Sequence, residues 1–148
     1  MLDVALTLLL LSCASALAAT RYVWQDSPSP APPYTNWTSA AHVIQDAVDV
    51  AQTGDTVRVA GGAYATGGRA VGTNLLVNRV AIDRAITVES LMGPEVTTIQ
   101  GYQVPVTTNG DGAIRCVYLT NGASLSGFTL SNGATRTDGD YYLKGVSQ

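Results

Sequence analysis

Several residues in this sequence have the types and spacing that chemistry requires. Asp46 and Asp49 stand at i and i+3, so on a helix they would share a face as a carboxylate pair. An outer helix face offers nothing to shift their pKa values, and the pair reads as solubilising charge. His42 is the single histidine. It has no serine or cysteine partner in a hydrolase motif, and it reads as a solvated helix residue. Asp111, within Asn109-Gly110-Asp111-Gly112, and the neighbours Asp138 and Asp140 carry oxygens suited to calcium. Calcium takes about six to eight such ligands, and both segments are also ordinary turn chemistry, so these three are weak candidates. No residue earns a catalytic role or membership of a defined metal site, and no cofactor is called for beyond that calcium.

The amino terminus carries a different kind of signal. Val4 to Leu11 is almost wholly apolar, and Ala16-Leu17-Ala18 is a small-x-small triplet, the pattern at which exported proteins are cleaved. Residues 1–18 are expected to be a secretory signal, with the mature end near Ala19. The run is shorter than the ~20 residues of a membrane span, so the mature chain is expected to have none. Leu10-Leu11-Ser12-Cys13 resembles a lipobox, which makes lipidation and anchoring at Cys13 the alternative. If Cys13 leaves with the signal, Cys116 is the one remaining thiol, a small apolar residue within a strand. The net charge is -3, with Lys144 the only lysine. The arginines are scattered and make no basic stripe for a phosphate backbone, which argues against nucleic acid as a partner. Asn36-Trp37-Thr38 fits the N-glycosylation pattern.

The elements that must position these groups follow from periodicity. Arg21 to Asp26 reads as a short strand, followed by a Pro-rich spacer from Ser27 to Pro33 that is expected to be extended. Ala40, Ile44, Ala47, Val48 and Ala51 mark one face of a helix over 39–52, with Gln45, Asp46, Asp49 and Gln52 largely opposite. Thr38 or Ser39 would cap its start, and Gly54 would follow its end. Thereafter the period is two, as in Thr56-Val57-Arg58-Val59. Val80, Ile82, Ile86 and Val88 share a parity with Arg84, so the chain must turn at Asp83-Arg84. Further corners are expected at Met92-Gly93-Pro94, at Gln100-Gly101 and at the Asn-Gly pairs starting at Asn109, Asn121 and Asn132. Leu125, Phe128 and Leu130 are expected to point inward. Charged residues make up 13%, about half the usual share, which suits short strands separated by corners. Asn-Gly between apolar runs also suits hairpins, so an antiparallel β-sandwich is the alternative.

Ala41-His42-Val43-Ile44-Gln45-Asp46-Ala47-Val48-Asp49-Val50-Ala51, then Thr53 to Val59 and Gly62-Ala63-Tyr64, resembles the opening of bacterial right-handed parallel β-helix proteins of the pectin-lyase-like superfamily. Leu125 to Leu130 is similar to their later rungs. The resemblance implies an all-β solenoid whose helix caps the first rung through Ile44 and Val48. It divides the chain into a signal at 1–18, a strand and linker at 19–38, helix and rungs at 39–140, and a frayed or truncated tail at 141–148. With no catalytic constellation visible and a signal at the amino terminus, the expected function is an exported, cell-surface or carbohydrate-associated scaffold without its own active site, with polysaccharide or cell-surface components as partners. The alternative is the front of a polysaccharide lyase or glycoside hydrolase whose catalytic residues lie beyond Gln148.

Overall fold

The computed structural model describes residues 17–73 and 75–137. The expectations that fall on Cys13, Asp138, Asp140 and the 141–148 tail lie outside these residues.

The chain is mostly β. Among the described residues ten strands and one helix follow in order: β1 (Thr20–Val23), α1 (Ile44–Val50), β2 (Thr56–Val59), β3 (Gly62–Tyr64), β4 (Arg69–Ala70), β5 (Val77–Ile82), β6 (Thr87–Ser90), β7 (Thr97–Gln100), β8 (Ile114–Leu119), β9 (Ser124–Ser126) and β10 (Thr129–Ser131). They form three sheets, ordered β1-β2-β6-β9, β10-β7-β3 and β4-β5-β8. From β2 onward the chain visits the first, second and third sheet in turn, then returns to the first beside the strand it left. Among the described residues every ladder is parallel except the short β4–β5 pairing.

The antiparallel alternative is therefore not what forms. A two-residue Asn-Gly hairpin of the favoured type needs positive φ at both central residues. Gly122 has φ 80 but Asn121 does not share it, and Asn132 has φ 53 without Gly133 following. Asn121-Gly122 turns the chain from β8 in the third sheet into β9 in the first rather than back along the same one.

Parallel register stacks like on like. Val57 pairs with Val88 and Val88 with Leu125, while Tyr64 pairs with Ile99 and Ile99 with Leu130. Val57, Val59, Val80, Ile82, Ile86, Val88 and Ile99 are buried in one core. The parity conflict at Arg84 resolves as a corner: β5 ends at Ile82, and the Arg84 guanidinium turns outward to Asp83 and to the Ala51 carbonyl at 2.9 Å. Leu130 departs from expectation, being 52% exposed although it takes the register position of buried Ile99. It belongs to the last pass among the described residues, where Leu125 and Phe128 are only partly buried.

Three expected boundaries shift, the first being the opening strand, which covers Thr20–Val23 rather than Arg21 to Asp26. The helix covers only Ile44–Val50, not 39–52. The carbonyls of Thr38, Ser39, Ala40 and Ala41 accept hydrogen bonds from Ser29, Ala31, the Ser27 hydroxyl and Trp24 respectively, so none is left for a helical turn. Ala41 instead bridges Val23 in parallel fashion, and Val43 stands at the helix start with no side-chain cap. The same bonds overturn the extended spacer at 27–33. Ser27 is buried, and the segment folds back along 38–40.

Candidate functional site

The helix is held by groups on both its faces. Ile44 and Val48 are buried in the core with Ala47 and Ala51. Gln45, expected on the outer face, is also buried, because β4 pairs with only Val77 and Asn78 and leaves the rest of that edge of β5 open. The Gln45 side chain fills the opening as a strand would. Its Oε1 accepts the Ala81 amide at 2.7 Å, and its Nε2 donates to the Ala81 carbonyl at 3.3 Å and to Asp49 Oδ1 at 2.7 Å. Arg69 approaches from the other side, 2.8 Å from Asp83, 3.5 Å from Asp49 and 3.2 Å from the Ala81 carbonyl. Sequence periodicity places Gln45 largely opposite the apolar face, and only the exposed edge of β5 makes that position a buried one.

Asp46 and Asp49 are thus not equivalent. Both carboxylates are exposed, but only Asp49 belongs to this network. Partial burial, then the nearby Asp49 charge, raises the Asp46 carboxyl above its ordinary value, contrary to the expectation that nothing would perturb it. His42 precedes the helix rather than lying on it. Its Nε2 is 2.9 Å from the Ser27 carbonyl, so the ring donates there and pins the folded-back loop.

The remaining candidates are dispersed. Asp111 is exposed and paired with Arg136 at 2.8 Å. Among the described residues no three His, Cys, Asp or Glu side chains gather as a metal site, and no helix is long and apolar enough to cross a membrane. Cys116 is half-buried, with its thiol donating to the Ser131 carbonyl at 3.1 Å. Arg79, not singled out from the sequence, is buried on β5. Its guanidinium bonds the carbonyls of Gln100 and Gly67, and burial lowers its pKa.

One surface has the composition of a contact site. Trp24, Ala60 and Leu91 follow directly on the paired ends of β1, β2 and β6, where Val23 is in register with Val59 and Val59 with Ser90. The bonds from Ala60 N–H to Val23 and from Leu91 N–H to Val59 carry that register one residue further. With Trp37 and Met92 they line an open groove of about 410 Å³ in which every lining side chain is apolar. Trp37 packs edge-on against Tyr22, with ring centroids 4.7 Å apart, and is 36% exposed. Leu91 and Met92 are 49% and 63% exposed. The two tryptophans lie in segments read from the sequence as a strand end and a linker, and only the folding back of 27–39 brings them to one corner. No family model, curated protein or solved structure matches the chain.

Proposed function

We propose that this chain forms the first turns of an exported right-handed parallel β-helix that acts as a binding scaffold, and that it contacts polysaccharide at the Trp24/Trp37 corner. The cyclic passage through three sheets with parallel, in-register pairing supports the β-helix reading. Parallel strands joined by crossovers in one sheet are almost always wound right-handed.

The observation that carries the function is the row of Trp24, Ala60 and Leu91 at the same corner of successive passes, flanked by Trp37. Rows in such a coil repeat every ~4.8 Å, so an elongated ligand keeps the same kind of contact along the axis. A pyranose ring presents an apolar C–H face with hydroxyls at its rim. A flat indole covers that face while the hydroxyls stay in water. The groove is lined by Trp24, Trp37, Ala60, Leu91 and Met92, a surface suited to such contact.

Affinity electrophoresis through gels containing single soluble polysaccharides tests this. The native protein is expected to be retarded by at least one polymer, and Trp37→Ala to migrate freely while still folded, with a melting temperature lowered by loss of the Tyr22 ring contact. Equal retardation of native and Trp37→Ala protein, or none by neutral or acidic plant and bacterial polymers, would overturn the assignment.

A further inference from the structure

We propose that Ala19 is the first residue of the mature protein and that the α-ammonium group released there is captured by the buried Asp55 carboxylate. The inference rests on the export reading, which already places the mature end near Ala19, and adds to it a structural use for the new terminus.

The geometry around Ala19 already resembles a terminus-binding site. The Ala19 backbone nitrogen donates to Asp55 Oδ1 at 2.7 Å, and the Ala19 carbonyl accepts from Thr56 N–H at 2.9 Å. Asp55 is 3% exposed, and its other oxygen accepts from Arg21 at 3.2 Å and from Gln52 N–H at 2.9 Å. One residue upstream the environment changes: Ala18 is exposed and Leu17 is 90% exposed. The bond between Ala18 and Ala19 therefore joins an accessible segment to a tethered residue. It also follows the Ala16-Leu17-Ala18 triplet, whose small side chains at the first and third positions suit the peptidases that trim exported proteins.

Cleavage balances simply. A signal peptidase adds one water across the Ala18–Ala19 amide. The water oxygen goes to the Ala18 carboxylate, and both its protons end on the Ala19 nitrogen, giving –NH3+. An ordinary amide donor to Asp55 thereby becomes a charged one, and charge-assisted hydrogen bonds are roughly twice as strong. The charged groups facing the new terminus are Asp55, in contact, and Arg21, on the other carboxylate oxygen. The nearer carboxylate outweighs the guanidinium, so the ammonium form is favoured and its stabilisation is present below the ordinary amine pKa. It is lost as pH rises through the raised one.

The test uses the full chain expressed with its own leader in an exporting bacterium. Intact mass and N-terminal sequencing of the secreted protein are expected to read Ala-Thr-Arg-Tyr. An NMR titration of that product is expected to place the α-amino pKa about one unit above the usual range of about 7.7–8.0, and Asp55→Asn to return it there. The wild-type titration stands by itself if the variant does not fold. A secreted product beginning elsewhere, including at an acylated Cys13, overturns the site while leaving export intact. An ordinary amine pKa on a product that begins at Ala19 overturns the capture. Retention in the cytoplasm with Met1 intact overturns both this inference and the export reading.

Discussion

Gln45→Ala removes three hydrogen bonds from a residue that sequence periodicity places toward solvent. Two of them satisfy Ala81, which is completely buried on β5. The Ala81 carbonyl keeps Arg69, but the Ala81 N–H is left without a described partner. An orphaned buried amide costs about 1–3 kcal/mol, and a hydrogen bond to a charged acceptor such as Asp49 contributes about 1.5–3 kcal/mol where it is shielded. Asp49 is partly exposed, so its share falls at the low end. The sum is about 3 kcal/mol, a substantial part of a typical ~5–15 kcal/mol stability. For a domain of this size it corresponds to a fall in Tm of about 12 °C. The seven-residue helix cannot stand alone, and undocking it should be visible in the same transition.

Gln45→Glu sharpens the test. A carboxylate can still accept from Ala81 N–H, but it meets the Ala81 carbonyl and Asp49 with like polarity. Burial at this position, with the Ala81 carbonyl and Asp49, outweighs the nearby Arg69 guanidinium, so its folded pKa should rise above the ordinary ~4.3. A raised folded pKa means that the protonated form is favoured by folding. The variant's deficit should be full at pH 7 and shrink as pH falls through that raised value. Thermal melts of both variants between pH 7 and pH 4 provide the assay. If Gln45→Ala melts within ~1 kcal/mol of the parent, or Gln45→Glu shows a deficit independent of pH, the side-chain closure of the β5 edge is not what docks the helix.

Ile44→Ala opens a cavity in the core beside Val48 and should lose about 2–5 kcal/mol in denaturant unfolding. Asp46→Asn should be neutral to slightly stabilising at pH 7, within ~0.5 kcal/mol. Ionising Asp46 opposes folding above its raised pKa, so the gain should vanish near pH 3 in paired melts. Burial alone would raise the Asp55 pKa, but bonds from Gln52, Ala19 and Arg21 outweigh it and hold the carboxyl below its ordinary value. Its contribution is present above the unfolded value of ~3.9 and lost as pH falls through the folded one, and Asp55→Asn should flatten that acid limb in pH-dependent melts. Gly101→Ala should be strongly destabilising, because a Cβ there would lie 2.4 Å from the Ile114 carbonyl and 2.7 Å from Gly133 Cα, both backbone atoms. A Gly101→Ala protein that melts like the parent would refute that close packing.

The parts of the fold legible in the sequence are those governed by local alternation. Val57 and Val59 against Arg58, and the turn forced by Arg84, required only that apolar side chains share a face. The inner helix face of Ile44, Ala47 and Val48 was equally legible, since all three are buried, although Ala40 and Ala51, expected on it, are buried outside the helix. The helix boundary was not, because the carbonyls of residues 38–41 are taken by a loop whose return path has no local signature. Gln45 was missed for a related reason. A glutamine next to the apolar face is ordinary solvent chemistry unless a strand edge lies open beside it, and the length of β4 decides that. The Trp24/Trp37 groove was hidden because its halves come from segments that meet only when the proline-containing stretch folds back. Leu130 shows the converse: its pattern is that of a core residue, but its exposure depends on what stacks beyond it.

Parallel, in-register stacking of the first sheet underlies both the scaffold reading and the placement of the tryptophan corner. It is tested most directly by nuclear Overhauser effects between backbone protons of β2, β6 and β9 in the labelled protein. Parallel pairing predicts cross-peaks between amide protons of one strand and α-protons of the next, linking Val57 to Val88 and Val88 to Leu125 and their immediate neighbours. Strong cross-peaks between the α-protons of facing residues on these strands, the mark of antiparallel pairing, would contradict it.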